Sequence, residues 1–196
     1  YIGGDGNDVT LTGDGFFVSI DGAGNMVLTD NAGTNDAVTI QADPGTMEYV
    51  IRHATELIGN QVAPFTGTGT MVARVPFAAV TGQIIANFDG GDDSLNVDYA
   101  TTNTAFGKSI TLNGGEAGET NGDKLFITGD GGTTVESGVY TPSNTAESGQ
   151  HVLTLSAAAG GGTETINFTQ LEQSNQVSDV PTYELETGGS NDVLAI

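Results

Sequence analysis

Residues 84–99, IIANFDGGDDSLNVDY, constrain the fold more than any other part of the chain. Ile84, Ala86 and Phe88 alternate with polar or outward residues, and Leu95, Val97 and Tyr99 repeat the two-residue period after the turn. That period belongs to strands with one buried face. Between the runs lie Asp89, Gly90, Gly91, Asp92 and Asp93. The glycines permit a sharp turn and close approach of backbone to an ion. The three carboxylates repel one another unless a cation sits among them. The unit therefore reads as strand, acidic Ca²⁺-type turn, strand.

The unit recurs. In residues 107–128, Ile110 and Leu112 open a strand, Leu125 and Ile127 form the next, and the longer turn between them carries Glu116, Glu119 and Asp123. Shorter copies are GGDGNDVTL at 3–11, AGTNDAVTI at 32–40 and GGSNDVLAI at 188–196. In each an Asp (Asp8, Asp36, Asp93, Asp123, Asp192) precedes an alternating strand. Repetition of one supersecondary unit is the signature of a stacked array. The fold class expected is all-β, a β-solenoid-like stack of strand–acidic turn–strand units, with a β-sandwich as the alternative. Uniform composition suggests a single elongated β-rich domain over residues 1–196.

Charge narrows the partners. Against 25 acidic residues there are four basic ones, a net charge of −21. Nucleic acid is excluded as a natural partner, because no basic footprint exists to release its counterions. An anionic membrane surface is disfavoured on the same ground, and no apolar run is long enough to span a bilayer. Multivalent cations are the complementary ligands. The absence of cysteine rules out thiolate catalysis, disulfides and Cys-ligated metal.

Elsewhere the chain is strand-rich. Alternating runs cover 9–12, 16–20, 26–28 and 37–40, separated by Gly/Asp/Asn turns. Residues 43–59 form the one candidate helix, with Asp43 as cap, Pro44 in the first turn, Val50, Ala54, Leu57 and Ile58 on one face, and Gly59 at the end. A strand through 47–51 is its rival, because Tyr49, Val50 and Ile51 favour extended backbone. Residues 71–75 and 77–80 alternate again around Pro76, which marks an edge or a bend. Further strands are expected at 133–140, 151–157 and 163–171.

The candidate cation ligands are Asp5 and Asp8; Asn35 and Asp36; Asp89, Asp92 and Asp93; Glu116, Glu119 and Asp123; and Asn191 and Asp192. Ca²⁺ takes six to eight oxygens in flexible geometry, which carboxylates and turn carbonyls supply together. For a single isolated copy an Asx turn explains the residues as well as a ligand does. The triple-acid turn at 89–93 favours the ligand. Residues 3–8, GGDGND, resemble the opening of the repeats-in-toxin nonapeptide. They depart from it afterwards, because Thr10 stands at its large apolar position and the repeat is not tandem.

Catalytic signals are weak, and the expectation is that the chain is not an enzyme. His53 and His151 are its two histidines, and neither has metal or triad spacing. An acidic-sugar groove would call for basic residues, of which the chain has Arg52, Arg74, Lys108 and Lys124.

The run VPFAAVTG at 75–82, then IIANFDGGDDSLNVDY, SITLNGG, GDKLFITG and TETINFTQLEQ, resembles β-repeat modules of very large secreted proteins of planctomycetes and other aquatic bacteria. The resemblance covers residues 74–171. It implies an extracellular or cell-surface, Ca²⁺-stabilised module with a structural or adhesive role and no catalytic residue. The expected function is thus a structural Ca²⁺-binding module of a bacterial fibre, surface layer or adhesin. The alternative is a carbohydrate-binding or polysaccharide-processing β-helix module, which an aromatic-lined groove would favour. The apolar runs at 1–2 and 193–196, each beside an acidic turn, would join in register head to tail. Copies of the chain are therefore the expected partner, as a tandem repeat or a filament, with cell-surface or matrix polysaccharide as a second.

Overall fold

The structure is a computed structural model, described here for residues 15–31, 33–60, 65–67, 69–171 and 175–186. It is all-β. In chain order the strands are β1 (Phe16–Ile20), β2 (Met26–Asp30), β3 (Ala37–Asp43), β4 (Glu48–His53), β5 (Gly59–Asn60), β6 (Val72–Pro76), β7 (Ile84–Asn87), β8 (Ser94–Asp98), β9 (Ile110–Asn113), β10 (Lys124–Thr128), β11 (Val135–Pro142), β12 (Gly149–Leu155), β13 (Thr163–Thr169), β14 (Asn175–Ser178) and β15 (Thr182–Leu185). They form two mixed sheets. One has nine strands in the order β15-β11-β12-β13-β9-β7-β2-β1-β5, the other six in the order β14-β10-β8-β3-β4-β6.

At the centre the chain crosses repeatedly between the sheets: β2 to β3, β7 to β8, β9 to β10 and β13 to β14. Successive strands within each sheet are parallel and in register. Met26, Ile84, Ile110 and Ile166 form one column, and Leu28, Ala86, Leu112 and Phe168 the next. In the six-stranded sheet the columns are Val38, Leu95 and Leu125, and Ile40, Val97, Ile127 and Val177. Ile84 therefore pairs with Ile110 and Leu95 with Leu125, as the repeat in the sequence implies. These side chains form the buried core between the sheets, with Val177 half-buried at its margin. Each large one contributes about 1.5–3 kcal/mol by leaving water. The alternate positions face outward and are mostly polar or small, so a period of two persists even in parallel strands.

Hairpins flank this centre. The expected helix at 43–59 is absent; β3 and β4 form an antiparallel hairpin there, Val38 opposite His53 and Asp43 opposite Glu48. The polar cap the sequence offered for a helix closes a turn instead, with Asp43 Oδ1 accepting from the Gly45 N–H at 2.9 Å. Extended-backbone preference at Tyr49, Val50 and Ile51 wins because all three become buried. Leu57, assigned to the helix's apolar face, is 61% exposed. Residues 71–75 behave as expected, and β6 lies at a sheet edge where Pro76 needs no ladder donor. Phe77–Ala79, expected as strand, form a single 3₁₀ turn. Among the described residues no helix is long and apolar enough to cross a membrane.

Candidate functional site: the stacked acidic turns

The corners entering β3, β8 and β10 carry the acids. Because Ala37, Ser94 and Lys124 are in register, the residues before them, Asp36, Asp93 and Asp123, stack one strand spacing apart. Each is 1% exposed. The backbone N–H of Asp36 donates to Asp93 Oδ1 at 2.7 Å, and that of Asp93 donates to Asp123 Oδ1 at 2.7 Å. The Asp93 and Asp123 carboxylates thus each cap the N–H of the previous turn. The second oxygens, Asp36 Oδ2 and Asp93 Oδ2, are buried without a hydrogen-bond partner among the described residues.

The residue before each acid builds a second, outer column. Asn35 Oδ1 accepts from the Asp92 N–H at 2.9 Å. Asp92 Oδ1 accepts from the N–H groups of Thr120, Asn121 and Gly122 at 2.7, 2.7 and 3.1 Å, and Asp92 Oδ2 accepts from Asn121 Nδ2 at 2.8 Å. Those donors, led by the Asn121 and Thr120 backbone N–H groups, hold the Asp92 carboxyl down at about 2. Gly91 lets the turn approach its neighbour. Its φ is +117°, and an added Cβ would lie 2.8 Å from the Thr34 carbonyl oxygen.

Asp92→Ala is expected to lower the melting temperature by several degrees at pH 7, because four donors of the next turn lose their acceptor. Asp92→Asn keeps one carbonyl and should retain most of the stability. The Asp92 contribution is present above pH about 4 and is lost as pH falls through about 2. Circular-dichroism melts of the two variants would check this, and equal melting of Asp92→Ala and the parent would overturn it.

The inner column has the opposite electrostatics. Burial, reinforced by Asp123, Asp36 and Asp30, pushes the Asp93 carboxyl up to about 8, against the lowering effect of the Asp36 N–H. Asp36 is also raised, first by burial and then by Asp30 and Glu56, with the His53 bond acting the other way. Asp30, at the end of β2, is buried, and its Oδ2 accepts from the Gly33 N–H at 3.0 Å. Two like charges one strand spacing apart repel by about 3 kcal/mol at an effective dielectric near 20. The column therefore demands protons or a cation.

A second group shares Asp36. Ligand atoms of Asp36, His53 and Glu56 all lie within 4.8 Å of one another. Both imidazole nitrogens are already committed. Nδ1 accepts from the Glu56 N–H at 2.8 Å, which leaves the proton on Nε2, 2.7 Å from Asp36 Oδ1. No nitrogen lone pair remains for a metal, so the pair serves to hold the β3–β4 hairpin against the first acidic turn.

Of the other candidates, Asn35, Asp89 and Glu116 are exposed and Glu119 is half-buried. The fold brings the turns holding them together: Gly90 bridges Ala117, and the Gly91 N–H donates to the Ala117 carbonyl at 3.0 Å. Asp5, Asp8, Asn191 and Asp192 lie outside the described residues. Sequence reasoning missed Asp30 and His53. His53 stands 17 residues from Asp36, and only the hairpin register joins them. It also missed buried Glu164, which accepts from the Tyr99 hydroxyl at 2.8 Å and from the Gly107 N–H. Comparison of the chain with family models, with curated proteins and with solved structures gave no match.

Proposed function

We propose that the chain is a structural, extracellular β-module that takes up Ca²⁺ in its stacked acidic turns, as part of a bacterial fibre, surface layer or adhesin. The observation that carries this reading is the pair of buried, unpartnered oxygens, Asp36 Oδ2 and Asp93 Oδ2, in a column of buried carboxyl groups that cannot all ionise without a cation. An oxygen-only donor set suits a hard cation such as Ca²⁺, and His53 would add nothing to it. Asp36, Asp93 and Asp123, with Asp30 beside them, are the residues that would hold the ion. Its charge would offset their repulsion. Asp92 and Asn35 hold the turns in register around the column.

The parallel, in-register rungs that alternate between sheets support the finer reading of a solenoid-like stack with inserted hairpins. Copies of the chain are the partner assigned to it. In the six-stranded sheet β14 pairs on one side only, with β10, among the described residues, and such an edge accepts a further strand.

Thermal melts at pH 8 would test the cation. Adding Ca²⁺ to EDTA-treated protein is expected to raise the melting temperature, by mass action on the folded state. Elemental analysis should find bound calcium, and light scattering should show assembly that depends on it. Identical melts in Ca²⁺ and EDTA, with no bound metal, would overturn the proposal.

A further inference from the structure

The outward face of the six-stranded sheet holds one residue out of keeping with its neighbours. On β3, β8 and β10 the outward positions are Ala37, Thr39, Gln41 and Asp43; Ser94, Asn96 and Asp98; and Lys124, Phe126 and Thr128. Phe126 is the only aromatic among them, and it is half-buried although its side chain lies away from the core. Register places it in a row across four strands: Arg52 opposite Thr39, Thr39 opposite Asn96, Asn96 opposite Phe126. At the usual strand spacing the row is about 14 Å long. It lies in a shallow groove of about 350 Å³ that also includes Ser94 and Thr128.

The row has a consistent chemistry. Asn96 Oδ1 accepts from Thr128 Oγ1 at 3.0 Å, which fixes the amide and leaves Nδ2 as a donor. Arg52 is exposed, and its Nε donates to Gln41 Oε1 at 3.5 Å. It makes no salt bridge among the described residues, in a chain with 25 acidic side chains. One end of the groove is therefore a flat apolar ring, the middle holds an amide and a hydroxyl, and the other end holds a guanidinium fork.

We propose that this row binds a short stretch of neutral polysaccharide, independently of the cation site. A pyranose ring presents an apolar C–H face that packs on Phe126, while its hydroxyls pair with Asn96, Thr39 and Arg52. The fixed spacing of the row suits a chain of ring units rather than a single sugar. The net charge of −21 disfavours an anionic glycan.

Isothermal titration of the full chain with short neutral glucan, xylan, mannan and chitin oligosaccharides and with an oligouronate, in Ca²⁺ and in EDTA, tests this. At least one class should bind in both buffers. Phe126→Ala should weaken it by about tenfold or more, and Asn96→Ala should weaken it less. Phe126→Tyr should keep binding, and the far-UV circular dichroism of Phe126→Ala should match the parent's, so that its loss of binding is not a failure to fold. Thr111→Ala, on the outward face of the other sheet, should change nothing. No binding by any neutral oligosaccharide, equal binding by Phe126→Ala, or preference for a polyuronate would overturn the proposal.

Discussion

In EDTA, Asp93→Asn is expected to be more stable than the parent chain above neutral pH, and to lose most of the parent's pH dependence. The amide keeps the Oδ1 acceptor for the Asp36 N–H but cannot ionise. In the parent, the folded-state carboxyl is raised to about 8 from an ordinary value of 3.8. Between those values the folded state binds more protons than the unfolded chain, so stability falls as pH rises. Below pH about 4 both states are protonated and nothing is lost. Above pH about 8 the full penalty is present, on the order of 5 kcal/mol at 1.36 kcal/mol per unit. Asp36, raised in the same direction, leaves a residual slope of the same sign in the variant. Ca²⁺ should flatten the parent's slope by favouring the ionised column, and should do little for Asp93→Asn. Urea unfolding at several pH values, with and without Ca²⁺, measures all four curves. Parallel curves for parent and variant in EDTA would show that the column does not carry the charge cost assigned to it.

The division of labour between Asp92 and Asp93 was legible in the sequence, though not from composition. Asp93 shares the parity of Leu95 and Val97, Asp36 that of Val38 and Ile40, and Asp123 that of Leu125 and Ile127. In a strand, residues of one parity share a face. The acids that start the strands are therefore carried inward with the core residues, while Asp92 and Asn35 turn outward to bind the next turn. Counting three carboxylates as equivalent ligands conceals that difference.

Other features were not readable locally. A two-residue period marks strands but does not say whether neighbours run parallel or to which sheet each belongs. Residues 84–87 and 94–98 flank one turn, yet lie in different sheets and never pair. The helix expected at 43–59 rested on cap residues and an apolar stripe that included Leu57. Asp43, Pro44 and Gly45 serve a hairpin turn equally well, and burial of Tyr49 and Ile51 against the core decides between the two. Phe126 is out of parity with Leu125 and Ile127, so its outward direction was legible; its alignment with Asn96 and Thr39 was not, because that rests on register across three strands.

Long-range pairing also decides the role of His53. His53→Ala is expected to cost about 3–5 kcal/mol, through a cavity beside Phe16 and the loss of the donor to a buried carboxylate. The Phe16 ring packs 5.1 Å from the imidazole, and Asp36 Oδ1 is 2.7 Å from Nε2. Glu56→Gln should be close to neutral, because the Glu56 contact that orients the ring is its backbone N–H. A metal centre built from Asp36, His53 and Glu56 would behave differently, since both substitutions would then remove a ligand. Equimolar Co²⁺ distinguishes the two. The committed Nδ1 and Nε2 predict no d–d absorption of a nitrogen-ligated site, and ¹⁵N chemical shifts should hold His53 in the Nε2–H tautomer with or without the metal. A visible Co²⁺ band lost in both His53→Ala and Glu56→Gln would make this group a metal site and not a structural clasp.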